Sequence, residues 1–354
     1  MQLGLIGLAN SGKTAIYNVL TGFNAETGYF HKDEPNIGVV EVIDPRVQFL
    51  SKLYNPKKTT FSIIEVLDFP GNDDEEHKMK IDSPRVKQLD ALGVVLRNFD
   101  DPVINESLGK PDPLRDLAEI NTEMLIADMQ IAEKRLEKVK LNLKRGVKTS
   151  DVLFEEKVLQ KVLEALHAEK PLREIELAPE EEKVIRGFQL LTNKQVMILL
   201  NSDEQRFGNN EKVIREIESK GYEAVDIAGK FEMELLSLEP DDARLFMDEM
   251  GITVSARDKI IRLAYKVLGY ISFFTAGNQE VRAWTIVKGE NAQQAAGKIH
   301  SDMERGFIRA ECFHYDDLRN YGSEKGVKEA GKVRIEGKNY IVKDGDLIFV
   351  RFSV

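Results

Sequence analysis

The chain has 354 residues, of which 42% are hydrophobic and 31% are charged. This length predicts two or three domains, and the composition is typical of a folded chain and excludes a disordered one. The 50 basic and 60 acidic side chains leave a net charge of -10, so any contact with RNA needs a local basic patch. Cys312 is the single cysteine, which excludes an internal disulfide framework and a cysteine zinc site. No apolar run approaches the roughly 18 residues that span a bilayer and no basic leader begins the chain, so we expect a cytoplasmic protein without a membrane segment.

The first hundred residues alternate short apolar runs with helical patterns, which is typical of a parallel α/β sheet. Strands are predicted over residues 3–6, 39–43, 62–67 and 93–96, with a helix over 13–20.

A long helical hairpin is predicted next. Apolar side chains follow one another at alternating steps of four and three residues, which places them on one seam of a helix; they are Leu125, Met129, Ala132, Leu136, Val139 and Leu143. Gly146 ends this helix, and Thr149 can cap a second one that runs to about residue 168. The short loop between them predicts an antiparallel hairpin.

The α/β pattern resumes after the hairpin, with strands predicted over 196–200 and 224–227 and an amphipathic helix over 211–219. From about residue 271 the pattern indicates a compact α+β domain. We therefore predict a nucleotide-binding domain of residues 1–112 and 193–270, an inserted helical domain of 113–192 and a C-terminal domain of 271–354.

The strongest chemical motif is Gly7-Leu8-Ala9-Asn10-Ser11-Gly12-Lys13-Thr14. It matches G-x-x-x-x-G-K-[ST] and lies between a predicted strand and a predicted helix, as a phosphate-binding loop does. Backbone N–H groups from Asn10 to Ala15 converge on phosphate oxygens at the helix N-terminus. Lys13 reaches the β- and γ-phosphates, and the Thr14 hydroxyl binds Mg²⁺. The glycine spacing does not fit the dinucleotide motif G-x-G-x-x-G.

A second motif, Asp68-Phe69-Pro70-Gly71, follows the predicted strand 62–67. A carboxylate at a strand's C-terminal end is placed to hold Mg²⁺ or its water. Asp68 is therefore the second predicted metal ligand, and the Gly71 N–H is predicted to contact the γ-phosphate during hydrolysis.

The base-reading position follows the strand 196–200 and reads Asn201-Ser202-Asp203-Glu204. Guanine-binding P-loop proteins carry N-K-x-D here, and the aspartate accepts hydrogen bonds from guanine. Ser202 replaces the lysine and Glu204 the aspartate, so we expect impaired guanine recognition. Ala228 and Gly229, after the strand 224–227, are candidates for backbone contacts to the base, with a plain loop as the equal alternative.

These motifs resemble the Obg-like ATPases known as YchF, within the TRAFAC P-loop class. The resemblance covers nearly the whole chain and is most specific in the C-terminal motifs; they are Phe274-Thr275-Ala276-Gly277, Glu280-Val281-Arg282-Ala283-Trp284-Thr285 and Tyr340-Ile341-Val342-Lys343-Asp344-Gly345-Asp346. It implies a G-domain-like P-loop NTPase sheet with an inserted antiparallel hairpin and a ubiquitin-like TGS domain. It also implies slow hydrolysis of ATP in preference to GTP, with Mg²⁺, and association with ribosomes.

Three departures from the family pattern concern hydrolysis. Residues 72–78, after Gly71, are acidic and free of glycine where the family has a glycine-rich segment. Lys32 replaces a switch threonine, and Val94 stands where many members carry histidine. Whether Lys32, Asn72 or His77 assists hydrolysis stays open.

The predicted hairpin carries the largest local excess of positive charge. Residues 126–148 hold seven basic and three acidic side chains, so the hairpin is a candidate contact for RNA phosphates; an ordinary solvated helix face is the alternative. The charges of the TGS-like domain are nearly balanced, and its part in contacting the ribosome or RNA is only what the resemblance implies. We expect a monomer. The competing functions are GTP binding, a nucleotide-sensing adaptor that does not hydrolyse, and a small-molecule kinase.

Overall fold

The structure is a computed structural model that describes residues 1–22, 35–69, 84–249 and 251–353. The chain divides into two compact units. The first unit comprises Met1–Gly38 and Glu65–Ala264, and the second comprises Val39–Ile64 and Tyr265–Val354. Within the described ranges, no helix is both long enough and apolar enough to cross a membrane.

Strands and helices are numbered along the chain. The strands are β1 Gln2–Ile6, β2 Asn36–Val42, β3 Lys58–Thr60, β4 Ser62–Asp68, β5 Ala91–Asn98, β6 Gln195–Ser202, β7 Glu223–Ile227, β8 Tyr270–Thr275, β9 Glu280–Val287, β10 Phe307–His314, β11 Arg334–Glu336 and β12 Asp346–Phe352. The helices are α1 Lys13–Thr21, α2 Pro45–Tyr54, α3 Pro84–Gln88, α4 Pro102–Leu108, α5 Pro113–Lys144, α6 Ser150–His167, α7 Pro179–Arg186, α8 Glu211–Ser219, α9 Gly229–Leu235, α10 Pro240–Glu249, α11 Ala256–Val267, α12 Ala292–Ile299, α13 Ser301–Arg305, α14 Tyr315–Tyr321 and α15 Glu324–Glu329.

The first unit is built on a sheet with the strand order β2-β4-β1-β5-β6-β7. The pairs β4–β1, β1–β5, β5–β6 and β6–β7 are parallel. β5 is buried along its whole length, as expected for a central parallel strand covered on both faces. The C-terminal ends of these parallel strands lie at one edge of the sheet, where α/β proteins bind ligands. The predicted α/β class is confirmed.

The inserted hairpin consists of α5 and α6, and it belongs to the first unit. The predicted seam is confirmed, because its six side chains all pack into the core that the two helices share. Asp128 of α5 is fully buried and fastens this helix to residues near the start of β6. Its carboxylate accepts hydrogen bonds from the Leu191 N–H at 2.8 Å, the Thr192 N–H at 2.7 Å and the Thr192 hydroxyl at 2.6 Å.

The second unit contains a sheet with the strand order β11-β10-β12-β8-β9-β3. One face packs against α2 and α14, with Val47, Leu50, Phe274 and Leu318 in that core. The other face carries Phe273 and Ile286 and packs against Ala295 of α12.

Residues 39–64 group with the second unit, although their sequence position assigns them to the nucleotide-binding domain. β3 pairs in parallel with β9, with Lys58 opposite Glu280 and Thr60 opposite Arg282. Such a pairing joins segments more than 200 residues apart and leaves no local signal in the sequence. The three-domain division by sequence number stays a prediction.

Candidate functional site

The phosphate-loop motif forms the turn between β1 and α1. Gly12 has a φ of 92°, a backbone conformation that glycine adopts without strain. A Cβ at Gly12 would lie 2.1 Å from the amide nitrogen of Asn201, and a Cβ at Gly7 would lie 2.5 Å from the Val95 carbonyl oxygen. The two glycines of the motif are therefore required by the close approach of neighbouring groups.

Lys13 begins α1 and is almost completely buried, with 7% of its surface exposed. Its ammonium group donates hydrogen bonds to the carbonyl oxygens of Gly7 and Leu8, both at 2.9 Å. The positive charge is thus held inside the curve of the loop, next to the N-terminus of α1, where phosphate is favoured.

Asp68, the last residue of β4, lies beside the phosphate loop. One of its carboxylate oxygens, Oδ2, accepts hydrogen bonds from the Thr14 hydroxyl at 3.0 Å and from the Asn36 amide at 3.2 Å. Burial raises the pKa of this carboxyl, whereas the two hydrogen bonds and the charge of Lys13 lower it.

The surroundings of Asp68 fit a magnesium ion. The second carboxylate oxygen, Oδ1, is buried without a hydrogen-bond partner among the described residues, and leaving such an oxygen unpaired is costly. Mg²⁺ prefers oxygen ligands and takes one or two from protein and the rest from phosphates and water. Thr14 and Asp68 supply two suitable oxygens 3.0 Å apart.

Asn36 is a site residue that sequence reasoning missed. It follows Glu34 and Pro35 in the sequence, and its role as a partner of Asp68 was not expected. The two residues lie 32 positions apart in the chain, so only the pairing of the strands reveals their contact.

Asn201 connects the phosphate loop to the loop after β7. Its side-chain amide donates to the Ser11 carbonyl at 3.0 Å, and its oxygen accepts from the Gly229 N–H at 3.2 Å. Both bonds are buried. The structure therefore brings together three of the predicted elements, namely the loop, the base-reading asparagine and the Ala228–Gly229 turn.

Ser202, where guanine-binding proteins have lysine, is buried in a polar cluster. Its hydroxyl donates to Asp226 and accepts from the amides of Asn98 at 2.8 Å and Asn210 at 3.0 Å. Asn210 also donates to Asp226 at 2.8 Å. Sequence reasoning missed this cluster, although polar residues at the ends of β5, β6 and β7 were a usable signal.

Several other predicted residues are placed in this region. Glu204 is exposed in the loop after β6 and makes no hydrogen bond or ion pair among the described residues. Asn10 adopts a left-handed conformation with a φ of 58°, which asparagine tolerates. Ala15 lies half-buried in the first turn of α1, and Val94 is fully buried in β5.

Four residues discussed for hydrolysis lie outside the described residues. They are Lys32, Gly71, Asn72 and His77.

A cavity of about 310 Å³ adjoins the phosphate loop on the side of α4 and α5. Leu8, Ala9 and Ser11 line it together with Arg97 and Arg115. The Arg97 guanidinium donates to Asn105 at 3.1 Å and to the Gly109 carbonyl. These bonds direct its charge towards α4.

Comparisons with known proteins agree with this geometry. A family model described as "YchF-GTPase_C: Protein of unknown function (DUF933)" matches residues 270–353. The chain is 42% identical to "Ribosome-binding ATPase YchF" of Bacillus subtilis (strain 168), over 100% of both chains. It is 33% identical to "Obg-like ATPase 1" of Oryza sativa subsp. japonica, over 100% of this chain and 92% of that protein.

A solved structure described as "Structure of the Schizosaccharomyces pombe YchF GTPase" superposes with a TM-score of 0.85 at 31% identity. The superposition covers 99% of this chain and 97% of that one. The phosphate loop, its aspartate partner and this full-length similarity together establish that the chain belongs to the YchF family of Obg-like P-loop ATPases.

Proposed function

We propose that the chain binds ATP in preference to GTP, hydrolyses its β–γ phosphate bond with Mg²⁺, and couples its nucleotide state to association with ribosomes. The observation that carries the hydrolytic part is the pair formed by Thr14 and Asp68 at the mouth of the phosphate loop. The Asp68 Oδ1 atom, which has no hydrogen-bond partner among the described residues, is buried there near Lys13. A bound nucleotide–metal complex would supply the missing partner.

Each residue of the loop has a defined task. The N–H groups from Asn10 to Ala15 hold phosphate oxygens at the N-terminus of α1. Lys13 exchanges its two carbonyl partners for β- and γ-phosphate oxygens. Thr14 and Asp68 would hold Mg²⁺, which neutralises charge on the β- and γ-phosphates. Gly71 is proposed to donate its N–H to the γ-phosphate.

The preference for ATP rests on residues at the C-terminal end of β6 and just after it. The side-chain N–H of Asn201 bonds to the phosphate loop and its side-chain oxygen bonds to the loop after β7. Asn201 therefore sets the position of the two loops that we propose surround the base. The Ser202 hydroxyl is hydrogen-bonded to Asp226 and to two asparagines. Unlike the lysine of guanine-binding proteins, its side chain has no aliphatic portion that could pack against a base. Glu204 is one methylene longer than the aspartate that reads guanine. These differences weaken recognition of guanine and favour adenine.

Calorimetric titration of the nucleotide-free chain with ATP and with GTP, both with Mg²⁺, tests this preference. We expect ATP to bind at least about tenfold more tightly, which corresponds to about 1.4 kcal/mol. Equal or tighter binding of GTP would contradict the role given to Ser202 and Glu204.

The substitution Lys13→Ala tests the phosphate site itself. It removes the only loop side chain placed to contact the β- and γ-phosphates, so we expect loss of measurable ATP hydrolysis. Lys230→Ala, an exposed lysine after β7, is the matched control and should retain native turnover. Undiminished hydrolysis by the Lys13 variant would refute the site assignment.

A non-hydrolysing adaptor is the second candidate, because Val94 is buried in β5 where many family members carry histidine. A single-turnover experiment separates the two candidates. An ATPase converts bound ATP to ADP, whereas an adaptor leaves it intact over hours.

The ribosome is proposed as the partner because relatives at 42% and 38% identity are named ribosome-binding ATPases. Such a partner places the protein in the cytoplasm, and we propose that it acts there as a monomer. The hairpin offers a suitable surface. Of its seven basic side chains, Arg135 alone forms an ion pair within the described residues, with Glu155 at 2.6 Å. The other six are exposed around the connection between α5 and α6, where they can meet phosphates.

Co-sedimentation with purified ribosomes tests the hairpin surface. The double variant Lys140→Ala/Lys144→Ala should reduce the bound fraction severalfold, and the difference in affinity from the native chain should shrink as the salt concentration rises. The control Lys212→Ala/Lys220→Ala removes the same charge from exposed positions on and after α8. Equal binding by both double variants and the native chain would exclude the hairpin.

A further inference from the structure

The proposed hydrolytic mechanism leaves the cavity beside the phosphate loop without a role. Its volume of about 310 Å³ lies at the lower end of the range for small-ligand pockets. Leu8, Ala9 and Ser11 of the loop line it on one side, and Arg97 of β5 and Arg115 of α5 are among the residues that line the rest. All of these residues belong to the first unit.

Arg97 brings a buried positive charge to this cavity. Only 3% of its surface is exposed, and its guanidinium donates hydrogen bonds to two neutral acceptors, the Asn105 side chain at 3.1 Å and the Gly109 carbonyl. It makes no ion pair within the described residues. A guanidinium has five N–H donors, so donors remain for a ligand. Because a buried charge without an opposite charge is costly, an anion in the cavity would stabilise Arg97.

Two carboxylates, Asp116 and Glu119, also line the cavity. Asp116 is buried and accepts hydrogen bonds from the Arg115 guanidinium at 2.8 Å and 3.2 Å, so this ion pair is neutral as a whole. Glu119 lies one turn further along α5 and is exposed, where water screens its charge. With the ion pair counted as neutral, the buried part of the lining keeps the positive charge of Arg97.

Ser11 adds a hydrogen-bonding group from the side of the phosphate loop. Its surface is 3% exposed, and its hydroxyl is buried without a hydrogen-bond partner in the part of the chain that the structure describes. A hydroxyl has one donor and two acceptor positions, and a buried hydroxyl that uses none of them is unfavourable. An unpaired cation and an unpaired hydroxyl around one small cavity favour a small anion that accepts hydrogen bonds.

The cavity shares Leu8 with the position expected for the γ-phosphate. The Leu8 carbonyl accepts a hydrogen bond from the Lys13 ammonium at 2.9 Å, and this ammonium is the group that contacts the β- and γ-phosphates of a bound nucleotide. Leu8 also lines the cavity. The two sites therefore meet at one residue of the loop, and the phosphate that hydrolysis of ATP releases is a small anion formed next to the cavity.

We propose that this cavity binds inorganic phosphate and receives the phosphate released by ATP hydrolysis. The Arg97 guanidinium and the Ser11 hydroxyl donate hydrogen bonds to its oxygens. The inference rests on the proposed function, because hydrolysis of the β–γ bond is the source of the ligand. Phosphate dissolved in the surrounding solution has the same chemistry, so one experiment measures binding and a second identifies the source.

Isothermal titration calorimetry with inorganic phosphate measures binding. The full-length Lys13→Ala chain is used, because it lacks the loop lysine that competes for phosphate. Arg97→Met in this background removes the guanidinium and keeps a side chain of similar length, so the Kd for phosphate should rise about tenfold to hundredfold. Ser11→Ala removes the unpaired hydroxyl and should raise the Kd about threefold to tenfold.

Asn105→Ala is the control for the structural contacts of Arg97. It removes one of the hydrogen bonds that Arg97 makes to α4 and keeps the guanidinium, so the Kd should stay within about threefold of its starting value. Circular dichroism checks that each variant is folded.

Glu119→Gln separates a defined site from general electrostatic attraction. It removes a negative charge from the cavity lining, so phosphate should bind about twofold to threefold more tightly. Glu106→Gln removes the same charge from an exposed position of α4 outside the lining and should leave the Kd unchanged. Equal tightening by the two variants would contradict a site in the cavity.

A single turnover of ATP by the chain with Lys13 intact identifies the source of the phosphate. Cleavage is followed in quenched samples, and release is followed with a fluorescent phosphate sensor. If the cavity receives the product, release lags behind cleavage, and Arg97→Met shortens the lag. Simultaneous cleavage and release would overturn the assignment to the product.

An unchanged Kd in both Arg97→Met and Ser11→Ala would overturn the phosphate site itself. The proposed function fails on a different result, namely absence of ATP cleavage by the native chain. The calorimetric titration does not depend on cleavage, so the two failures are distinguishable.

Discussion

Replacing Asn201 by alanine removes the connection between the phosphate loop and the loop after β7. The substitution deletes two buried hydrogen bonds, one to the Ser11 carbonyl and one from the Gly229 N–H. The methyl side chain that remains cannot pair with either group. Both loops would keep their covalent connections but lose the contact that sets the distance between them.

The expected cost follows from the two backbone groups left unpaired. Each buried polar group without a partner costs about 1–3 kcal/mol, so the first unit should lose roughly 2–6 kcal/mol of stability. For a unit of this size, about 2–4 °C per kcal/mol gives a fall in melting temperature of roughly 4–24 °C. ATP affinity should fall as well, because part of the binding energy is spent on holding the loop in place.

Differential scanning fluorimetry with and without ATP and Mg²⁺ measures both effects. Asn209→Ala is the matched control, since this exposed asparagine lies in the loop after β6. Among the described residues its side chain makes one hydrogen bond, to the Gln205 carbonyl at 3.3 Å, and this bond is solvent-accessible. The control should melt within about 1 °C of the native chain. A melting temperature and ATP affinity for Asn201→Ala equal to those of the control would refute this account of the site.

Two further substitutions test contacts that only the structure reveals. Asn36→Ala removes a hydrogen bond that orients Asp68, so the Mg²⁺ concentration for half-maximal hydrolysis should rise about tenfold, as is typical for outer partners of metal ligands; an unchanged Mg²⁺ dependence would contradict the role. Asp128→Ala leaves three buried donors of Leu191 and Thr192 unpaired and should lower the free energy of unfolding by about 3–5 kcal/mol. Urea unfolding measures this loss, and a change below about 1 kcal/mol would show that the α5 contact is dispensable.

The features that could be predicted from sequence are those whose cause is local. The phosphate loop is specified by a contiguous motif between one strand and one helix. The hairpin is specified by apolar spacing along a single helix, and the capping of α6 by Thr149, which accepts from the Val152 N–H, follows from a short-range preference.

The features that could not be predicted depend on pairing between distant segments. The contact of Asn36 with Asp68 has no signal within a short window, and the burial of Ser202 is signalled only by polar residues at the ends of three separate strands. The parallel pairing of β3 with β9 moves residues 39–64 into the second unit, and it requires knowledge of the register between strands. The role of Glu204, exposed and unpaired among the described residues, stays a prediction.

The position of β6 connects the contact that Asp128 makes in the hairpin with the phosphate loop. Leu191 and Thr192, which hydrogen-bond to Asp128, lie just before this strand and are separated from its start by two residues. Asn201, which hydrogen-bonds to the phosphate loop, stands near its far end. Eight residues of strand span about 26 Å at roughly 3.3 Å per residue, and β6 is hydrogen-bonded to a neighbour on each side. A displacement of the hairpin is therefore transmitted through Asp128 and along β6, which resists bending. The other end of this strand holds Asn201, which supports the wall of the nucleotide pocket.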